Sequence, residues 1–188
     1  MSIVVLSDEL LLGSGNERRC YVHPNDTSLC IKVNHPNVIH RSQNKIEEYY
    51  FLKLKKRSVP FTYIPEFYGA SETNLGRGLV FERVQNSDGS PSAHLIDLLK
   101  DNTITKAEAT SMLNQLYQYL IRFGISLGDI NADQIVVRQN DHQLTPIIID
   151  GIGTRRFGLK LILLANFPFL ARRKVKKNWP VLLKKLSL

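Results

Sequence analysis

The sequence predicts an α+β protein whose strands and helices occupy different parts of the chain. In the first third, short apolar runs separated by Gly, Pro, Asn and Asp residues are typical of an antiparallel sheet. In the second half, apolar residues recur every three or four positions, which is typical of helices. These observations predict a compact two-lobed chain, with an N-terminal antiparallel sheet that carries one helix and a reduced helical C-terminal lobe.

The elements of the N-terminal lobe follow from turn residues and apolar spacing. An amphipathic helix is predicted at residues 42–56, with Ser42 as its N-cap and with the apolar positions Ile46, Tyr49, Tyr50, Leu52 and Leu54. The predicted strands are residues 5–12, 19–23, 29–33, 67–71 and 78–83.

A polar segment at residues 85–91, which contains Gly and Pro, predicts the boundary between residues 1–84 and residues 92–188. Beyond it, a helix at 105–123 begins with a capping box formed by Thr105 and Glu108 and ends at Gly124. A shorter helix at 93–100, two short strands at 135–137 and 147–149, and a helical C-terminal segment complete this lobe.

Composition places the chain among cytoplasmic globular proteins. It has 188 residues, of which 43% are hydrophobic and 22% charged, and two cysteines, too few for a disulfide framework. The N-terminal residues lack the features of a signal peptide. The longest apolar stretch, residues 159–170, is interrupted by polar residues and too short to span a bilayer.

The net charge of +8 comes from the C-terminal segment. Residues 155–188 hold ten of the 25 basic residues and none of the 17 acidic ones. This basic tail is either a solvated face or a contact for an anionic membrane surface, a nucleic acid or an acidic partner. The chain contains no nucleic-acid-binding motif, which argues against a nucleic-acid partner.

Two aspartates border short apolar segments late in the chain. Asp129 lies in the stretch LGDINADQIVV, and Asp150 ends the apolar part of PIIIDGIG. Both positions are predicted turns, so the two carboxylates either converge on one point or serve only as turn residues.

A lysine in an apolar strand is the third charged feature. Lys32 follows Cys30 and Ile31 and precedes Val33. A buried ammonium group requires a partner, and a carboxylate on the following helix can supply it. The alternative is an edge-strand lysine that faces water.

In chain order, the glycine turn GSGN at 13–16, the strand lysine, a helix glutamate and the two aspartates resemble protein-kinase-like proteins. More narrowly, the chain resembles the small bacterial family called PhoP regulatory network protein YrbL. The narrower resemblance rests on the small size, on the segments GDINADQI and IIDGIG, and on the basic and apolar C-terminus. It covers nearly the whole chain.

The resemblance implies an ATP site in the N-terminal lobe. Lys32 would bind the α- and β-phosphates, and Glu48, four residues before Leu52, would position it, with Glu47 as the alternative. Arg18 stands where the kinase loop has a third glycine. The phosphate-covering loop would contain Gly13, Ser14 and Gly15, and the hinge that meets the adenine edge would contain Phe81, Glu82, Arg83 and Val84.

The same resemblance implies the catalytic and metal residues. Asp129 would accept the proton of the acceptor hydroxyl, and Asp150 would bind Mg²⁺. Gln134 stands where kinases have an asparagine for a second Mg²⁺, with Asn131 as an alternative ligand.

Together these features predict an ATP- and Mg²⁺-dependent phosphotransferase in a magnesium-responsive bacterial regulatory network. Its acceptor is a small molecule or a protein; the short segment after Asp150 favours the small molecule. One alternative is a pseudokinase that regulates by binding a nucleotide or a protein, which Arg18 and Gln134 favour. The other is an adaptor that works at a membrane surface or on nucleic acid through the basic tail.

Overall fold

A five-stranded antiparallel sheet forms the first part of the chain in the computed structural model, which describes residues 3–36, 43–128, 131–141 and 143–188. Its strands are β1 (Leu11–Ser14), β2 (Arg18–His23), β3 (Asp26–Asn34), β4 (Phe67–Thr73) and β5 (Gly76–Glu82). They lie in the order β1-β2-β3-β5-β4, so the pairing of β3 with β5 joins the first three strands to the β4–β5 hairpin.

The predicted strand at residues 5–12 is wrong over most of its length. Residues Asp8–Leu10 form a 3-10 turn, and β1 begins only at Leu11. The side chain of Asn74 binds both backbone groups of Leu6, accepting from its N–H at 2.7 Å and donating to its carbonyl at 3.0 Å. Because this side chain satisfies the backbone there, the segment has no need of a full strand partner.

Helix α1 (Gln43–Lys56) packs against the sheet and confirms the predicted helix. Its buried apolar residues include Ile46, Tyr50 and Leu54, whose spacing of four places them on one face. Phe51 lies on the same side, with its ring centroid 5.0 Å from that of Phe81 in β5. The predicted cap, Ser42, lies outside the described residues.

Among its described residues, the C-terminal lobe combines four α-helices with a small antiparallel sheet. The strands are β6 (Ala93–His94), β7 (Ile135–Asn140) and β8 (Gln143–Ile148), and the helices are α2 (Leu95–Lys100), α3 (Lys106–Phe123), α4 (Leu159–Asn166) and α5 (Pro168–Lys185). The strands lie in the order β6-β7-β8, and the hairpin β7–β8 confirms the two predicted late strands.

Both ends of α3 form as the sequence predicts. The side chain of Thr105 accepts a hydrogen bond from the backbone of Glu108, whose carboxylate accepts one from the backbone of Thr105. Gly124 ends the helix with φ at +58°, a left-handed conformation that favours glycine. A Cβ on Gly124 would lie 2.5 Å from Pro168, so α5 starts in contact with the end of α3.

One hydrophobic core extends through both lobes. Tyr50 and Leu54 of α1 belong to the same buried cluster as Leu113 of α3 and Trp179 of α5. The basic C-terminal helix therefore buries Ala171, Val175, Trp179 and Leu182 in the core and exposes most of its charges. Among the described residues, we find no helix with the length and apolar content needed to cross a membrane.

Candidate functional site

A cleft lies between the sheet and the loops of the C-terminal lobe. Its larger part is a cavity of about 660 Å³. Its smaller part, of about 340 Å³, extends towards the end of β5. Four residues line both parts and make them one continuous cleft: Gly13, Cys20, Lys32 and Asp150.

Lys32 lies at the junction of the two parts and faces a carboxylate of α1. Its Nζ lies 3.7 Å from Oε2 of Glu47 and donates a hydrogen bond to the carbonyl of Ile149 at 2.7 Å. The ammonium also lies 4.8 Å from the ring centroid of Phe81. The strand lysine is therefore turned into the cleft and does not face water at a sheet edge.

The prediction that Glu48 is the partner of Lys32 is wrong. The two oxygens of Glu48 accept hydrogen bonds from Arg77 at 2.7 and 2.6 Å on the outer side of the sheet. Neighbouring helical residues point about 100° apart, so only one of the two glutamates can face the cleft. Glu47 shares the buried face with Tyr50 and Leu54, whereas Leu52, which suggested Glu48, is 53% exposed.

Arg18 joins the two lobes across the cleft. Its guanidinium donates to Glu47 at 2.6 and 3.0 Å and to Oδ1 of Asp150 at 2.5 Å, and its side chain is only 8% exposed. The sequence assigned Arg18 only the place of a missing glycine. Strand alternation could have placed Arg18 on the same face of the sheet as Lys32, because Arg18 and Cys20 lie on one face of β2 and Cys20 pairs with Lys32.

The four charged groups form a balanced cluster of two cations and two carboxylates. Burial acts against ionisation of Asp150, yet the charges of Lys32 and Arg18 hold the pKa of its carboxyl well below its usual range. Burial likewise acts against the charged form of Arg18, but Glu47 and Asp150 raise its pKa above the usual value. Asp150 and Arg18 therefore both remain ionised at neutral pH.

The loop before Asp129 and the segment after Asp150 are joined through their backbones. The N–H of Gly128 donates to the carbonyl of Gly151 at 2.6 Å, and the N–H of Gly153 donates to Ser126 at 2.7 Å. A Cβ on Gly128 would lie 3.0 Å from the backbone of Thr154, so only glycine allows this approach. Asp129 itself lies outside the described residues, and its predicted role stays a prediction.

The two amide side chains proposed as metal ligands line the larger cavity together with Asp150. Gln134 accepts a hydrogen bond from the backbone N–H of Asn131 at 3.2 Å. The side-chain oxygen of Asn131 accepts one from Lys185 of α5 at 2.7 Å. Both oxygens therefore already take part in the local structure.

The predicted phosphate loop and the predicted hinge both contribute to the lining of the cleft. Gly13 and Gly15 line the larger cavity, while Ser14 is the exposed last residue of β1. The smaller cavity is lined by the whole predicted hinge: Phe81, Glu82, Arg83 and Val84. Val136 and Ile149 form an apolar part of its wall.

Cys20 and Cys30 lie on adjacent strands and both line the smaller cavity. A hydrogen bond with the Cys30 thiol lowers the pKa of Cys20; burial opposes this effect, and the charges of Lys32 and Arg18 add to it, which brings the value to about 7. Burial and the same hydrogen bond raise the pKa of Cys30. Cys20 is therefore the reactive thiol of this pair.

Lys174 of α5 is a second residue whose place the sequence did not predict. Its ammonium donates to the carbonyl of Leu127 and lies 3.4 Å from the carbonyls of Gly128 and Gly153. It also donates to the hydroxyl of Ser126 at 3.3 Å. One residue of the basic tail thus binds the loop beside the cleft and is not part of a solvated face.

Comparison with known proteins adds the family. The family model described as PhoP regulatory network protein YrbL matches residues 4–187. The chain belongs to this family. Proteins called uncharacterized protein YrbL from Escherichia coli K12 and Shigella flexneri are each 30% identical to it over 159 residues, which cover 80% of this chain and 74% of each relative.

The architecture is that of a protein kinase. The solved structure of Rad53 1-466 in complex with AMP-PNP matches with a TM-score of 0.52 at 17% sequence identity. The match covers 78% of this chain but only 37% of the Rad53 chain. The predicted kinase-like fold is confirmed.

Proposed function

We propose that the protein is a kinase-like phosphotransferase that binds ATP and Mg²⁺ in the cleft. The observation that carries this proposal is that Lys32 and Asp150 line one cavity between the two lobes, with Glu47 buried beside Lys32. Phosphoryl transfer depends mainly on positioning and on neutralising the charge of the phosphates, and these groups suit both tasks. The kinase-like fold and the AMP-PNP bound by Rad53, an ATP analogue, support the same reading.

The smaller cavity suits the adenine ring. Its volume of about 340 Å³ and its apolar wall of Val136 and Ile149 match a flat aromatic ligand. The backbone of Glu82 and Val84 would supply the polar contacts at its edge. Lys32, at the junction with the larger cavity, would then lie where the nucleoside ends and the phosphate chain begins.

The larger cavity offers oxygen ligands of the kind that Mg²⁺ prefers. Asp150 would hold the ion, with the amide oxygen of Gln134 or Asn131 as a further ligand and water in the remaining positions. The ion would neutralise part of the charge on the phosphates. Arg18 competes for the same carboxylate, because its guanidinium already binds Oδ1 of Asp150.

The acceptor would enter from the open side of the larger cavity. Asp129, next to Gly128 in the chain, is our candidate for the residue that orients the acceptor hydroxyl, on the basis of the sequence alone. Arg155 and Arg156 line the cavity here and would favour an acceptor with a negative charge. The family name connects this activity with the PhoP regulatory network.

One observation favours a second candidate, a regulator that binds a nucleotide without transferring phosphate. The bond of 2.5 Å between Arg18 and Asp150 places a permanent cation on the carboxylate that the metal would use. A guanidinium cannot be deprotonated at any pH that the protein survives. In this case the nucleotide would bind through Lys32 and Arg18 and would need no divalent ion.

Isothermal titration calorimetry with ATP, in the presence and absence of Mg²⁺, tests the proposal. Lys32→Met should weaken ATP binding about tenfold or more, since it removes a phosphate contact of about 1.4 kcal/mol or more. Lys53→Met is the matched control, because Lys53 lies on α1 in the same lobe but outside the cleft. This variant should bind ATP as the wild type does. An absence of heat with ATP under both conditions would contradict any nucleotide function.

Metal dependence and turnover separate the two candidates. For the phosphotransferase, Mg²⁺ should tighten ATP binding, Asp150→Asn should abolish that gain, and release of the γ-phosphate should fall with Asp129→Asn. For the regulator, ATP should bind equally with and without Mg²⁺, and no labelled phosphate should leave ATP. Turnover that survives Asp129→Asn would contradict the role given to Asp129.

A further inference from the structure

A row of large apolar side chains lies exposed on the surface formed by α4 and the residues on either side of it. The exposed fractions range from 37% to 71%. Contiguous apolar surface of this kind is uncommon on a soluble domain and marks a contact site. We call it the α4 face; its members are Phe157, Leu159, Ile162, Leu163, Phe167 and Phe169.

Helical spacing explains why this face stays uncovered. Within α4, the buried residues Leu161, Leu164 and Ala165 pack into the core against α1 and α5. Leu159 and Ile162 lie on the other side, three residues apart, together with Leu163. The helix therefore has two apolar sides, one in the core and the other directed outwards.

Aromatic residues extend the face at both ends of α4. The ring of Phe157 packs edge-on against Tyr49 at 5.9 Å between centroids and remains 56% exposed. The rings of Phe167 and Phe169 contact each other at 6.1 Å, and Phe169 is 61% exposed. None of these three rings lines either cavity of the cleft.

The charged residues of the segment that carries the α4 face are all positive. Residues 155–188 contain no acidic residue, and Arg156, Lys160 and Arg173 are exposed beside or within the apolar row. Arg172 is held by the carbonyls of Ile121 and Arg122, so its charge has a fixed place at the start of α5. An apolar face with a basic border is complementary to a surface that is both apolar and anionic.

We propose that the α4 face docks the protein on the surface of an anionic phospholipid bilayer. The aliphatic and aromatic side chains would enter the boundary between headgroups and acyl chains, and the basic residues would meet the anionic headgroups. The apolar row runs along α4 and the residues at its two ends and lines neither cavity of the cleft, which fits a fluid bilayer better than it fits a peptide. This docking does not depend on nucleotide binding.

The structure changes which part of the basic tail would contact lipid. Most apolar side chains of α5 beyond its first residues, which include Val175, Trp179 and Leu182, are buried in the core. Beyond its first residues, α5 therefore contributes mainly charge, with Val181 as an exposed apolar side chain. The anchors lie earlier, in and around α4, and deletion of residues 171–188 would remove core packing instead of testing the surface.

Vesicle sedimentation with the full chain tests the docking directly. The wild type should bind vesicles of phosphatidylcholine with about 30 mol% phosphatidylglycerol at least about tenfold more tightly than vesicles of phosphatidylcholine alone. Sodium chloride at about 0.5 M should weaken the binding, since it screens the electrostatic part. Equal binding to both vesicle types, or no binding to either, would overturn the proposal.

Paired variants locate the surface. Phe157→Ser with Phe169→Ser should weaken binding to anionic vesicles about tenfold or more, whereas Tyr68→Ser with Leu75→Ser, two exposed apolar residues of the sheet, should not. Binding that is unchanged in the first pair, or equally weakened in both, would show that lipid is bound elsewhere.

A charge-reversal pair tests the basic border. Lys160→Glu with Arg173→Glu should weaken binding about tenfold or more, and Lys100→Glu with Lys106→Glu is the control with the same change in net charge. If both pairs weaken vesicle binding equally, the weakening comes from the change in net charge alone, which would contradict a defined face.

Light scattering after size exclusion distinguishes a second copy of the chain as the occupant. If the wild type is a dimer that the phenylalanine pair converts to a monomer, the α4 face is an interface between copies and the lipid proposal fails. A wild type and a variant with the same mass, together with the vesicle results above, support docking on lipid.

Discussion

Replacement of Glu47 by glutamine removes one of the two negative charges in the cluster at the cleft. Glu47 is 1% exposed and accepts hydrogen bonds from Arg18 at 2.6 and 3.0 Å, with Lys32 at 3.7 Å. Glutamine keeps one carbonyl acceptor but leaves the two cations with Asp150 as the remaining carboxylate of the cluster. The variant therefore places an uncompensated positive charge in a largely buried position.

The matched change Glu48→Gln affects the next residue of the same helix. Glu48 pairs with Arg77, whose side chain is 49% exposed. Loss of one partner of a buried ion pair costs about 3–5 kcal/mol, and the acceptor kept by glutamine places Glu47→Gln near about 3 kcal/mol. Loss of an exposed pair costs about 0.5 kcal/mol, which is the value expected for Glu48→Gln.

Urea unfolding of the two variants and the wild type measures both costs by linear extrapolation. For a chain of this length, the expected shifts in melting temperature are about 6–12 °C for Glu47→Gln and about 1–2 °C for Glu48→Gln. Calorimetry should also show that Glu47→Gln weakens ATP binding more than Glu48→Gln does, because only Glu47 positions Lys32. Equal losses, or a larger loss for Glu48→Gln, would refute the assignment of Glu47 to the cluster.

Three other experiments examine single groups around the cleft. Iodoacetamide should alkylate Cys20 with a midpoint near pH 7, and ATP should slow the reaction; a midpoint at the ordinary value of about 8.5 would contradict its charged surroundings. Lys174→Met should lower the free energy of unfolding by about 2 kcal/mol and raise amide exchange at residues 126–128, and unchanged exchange would argue against its contact with that loop. The lowered pKa of Asp150 means that its ion pair stabilises the fold above about pH 3.9 and loses this effect as the pH falls further. The stability difference between wild type and Asp150→Asn should therefore be largest near neutral pH and shrink below about pH 4, as followed by urea unfolding at stepped pH; a constant difference would contradict it.

The sequence predicts those parts of the fold that local chemistry determines. Thr105, Glu108 and Gly124 define both ends of α3 because caps act within a few residues. The strand that contains Lys32 follows from an apolar run bounded by turn residues. The kinase-like order of the lysine and Asp150 then predicts that they share one site, and both do line the cleft.

The errors arise where a contact joins distant parts of the chain. Arg18 and Asp150 are 132 residues apart, so no local pattern predicts that an arginine binds that carboxylate. Lys174 binds a loop 46 to 48 residues earlier, and composition alone places it with the solvated lysines of α5. The choice of Glu48 instead of Glu47 came from spacing to Leu52, whereas the buried face of α1 favours Glu47.

The backbone bonds between Gly128 and Gly151 and between Gly153 and Ser126 have a mechanical consequence. They make the side of the cleft formed by the C-terminal lobe a stiff unit. The ammonium of Lys174, which binds the carbonyl of Leu127, stabilises it further. The opposite boundary has open space at Gly13, where an added Cβ would meet no described atom within 4 Å. We therefore expect any narrowing around a ligand to come from movement of the β1–β2 hairpin towards the C-terminal lobe, with release of Arg18 from Asp150 as the step that permits it.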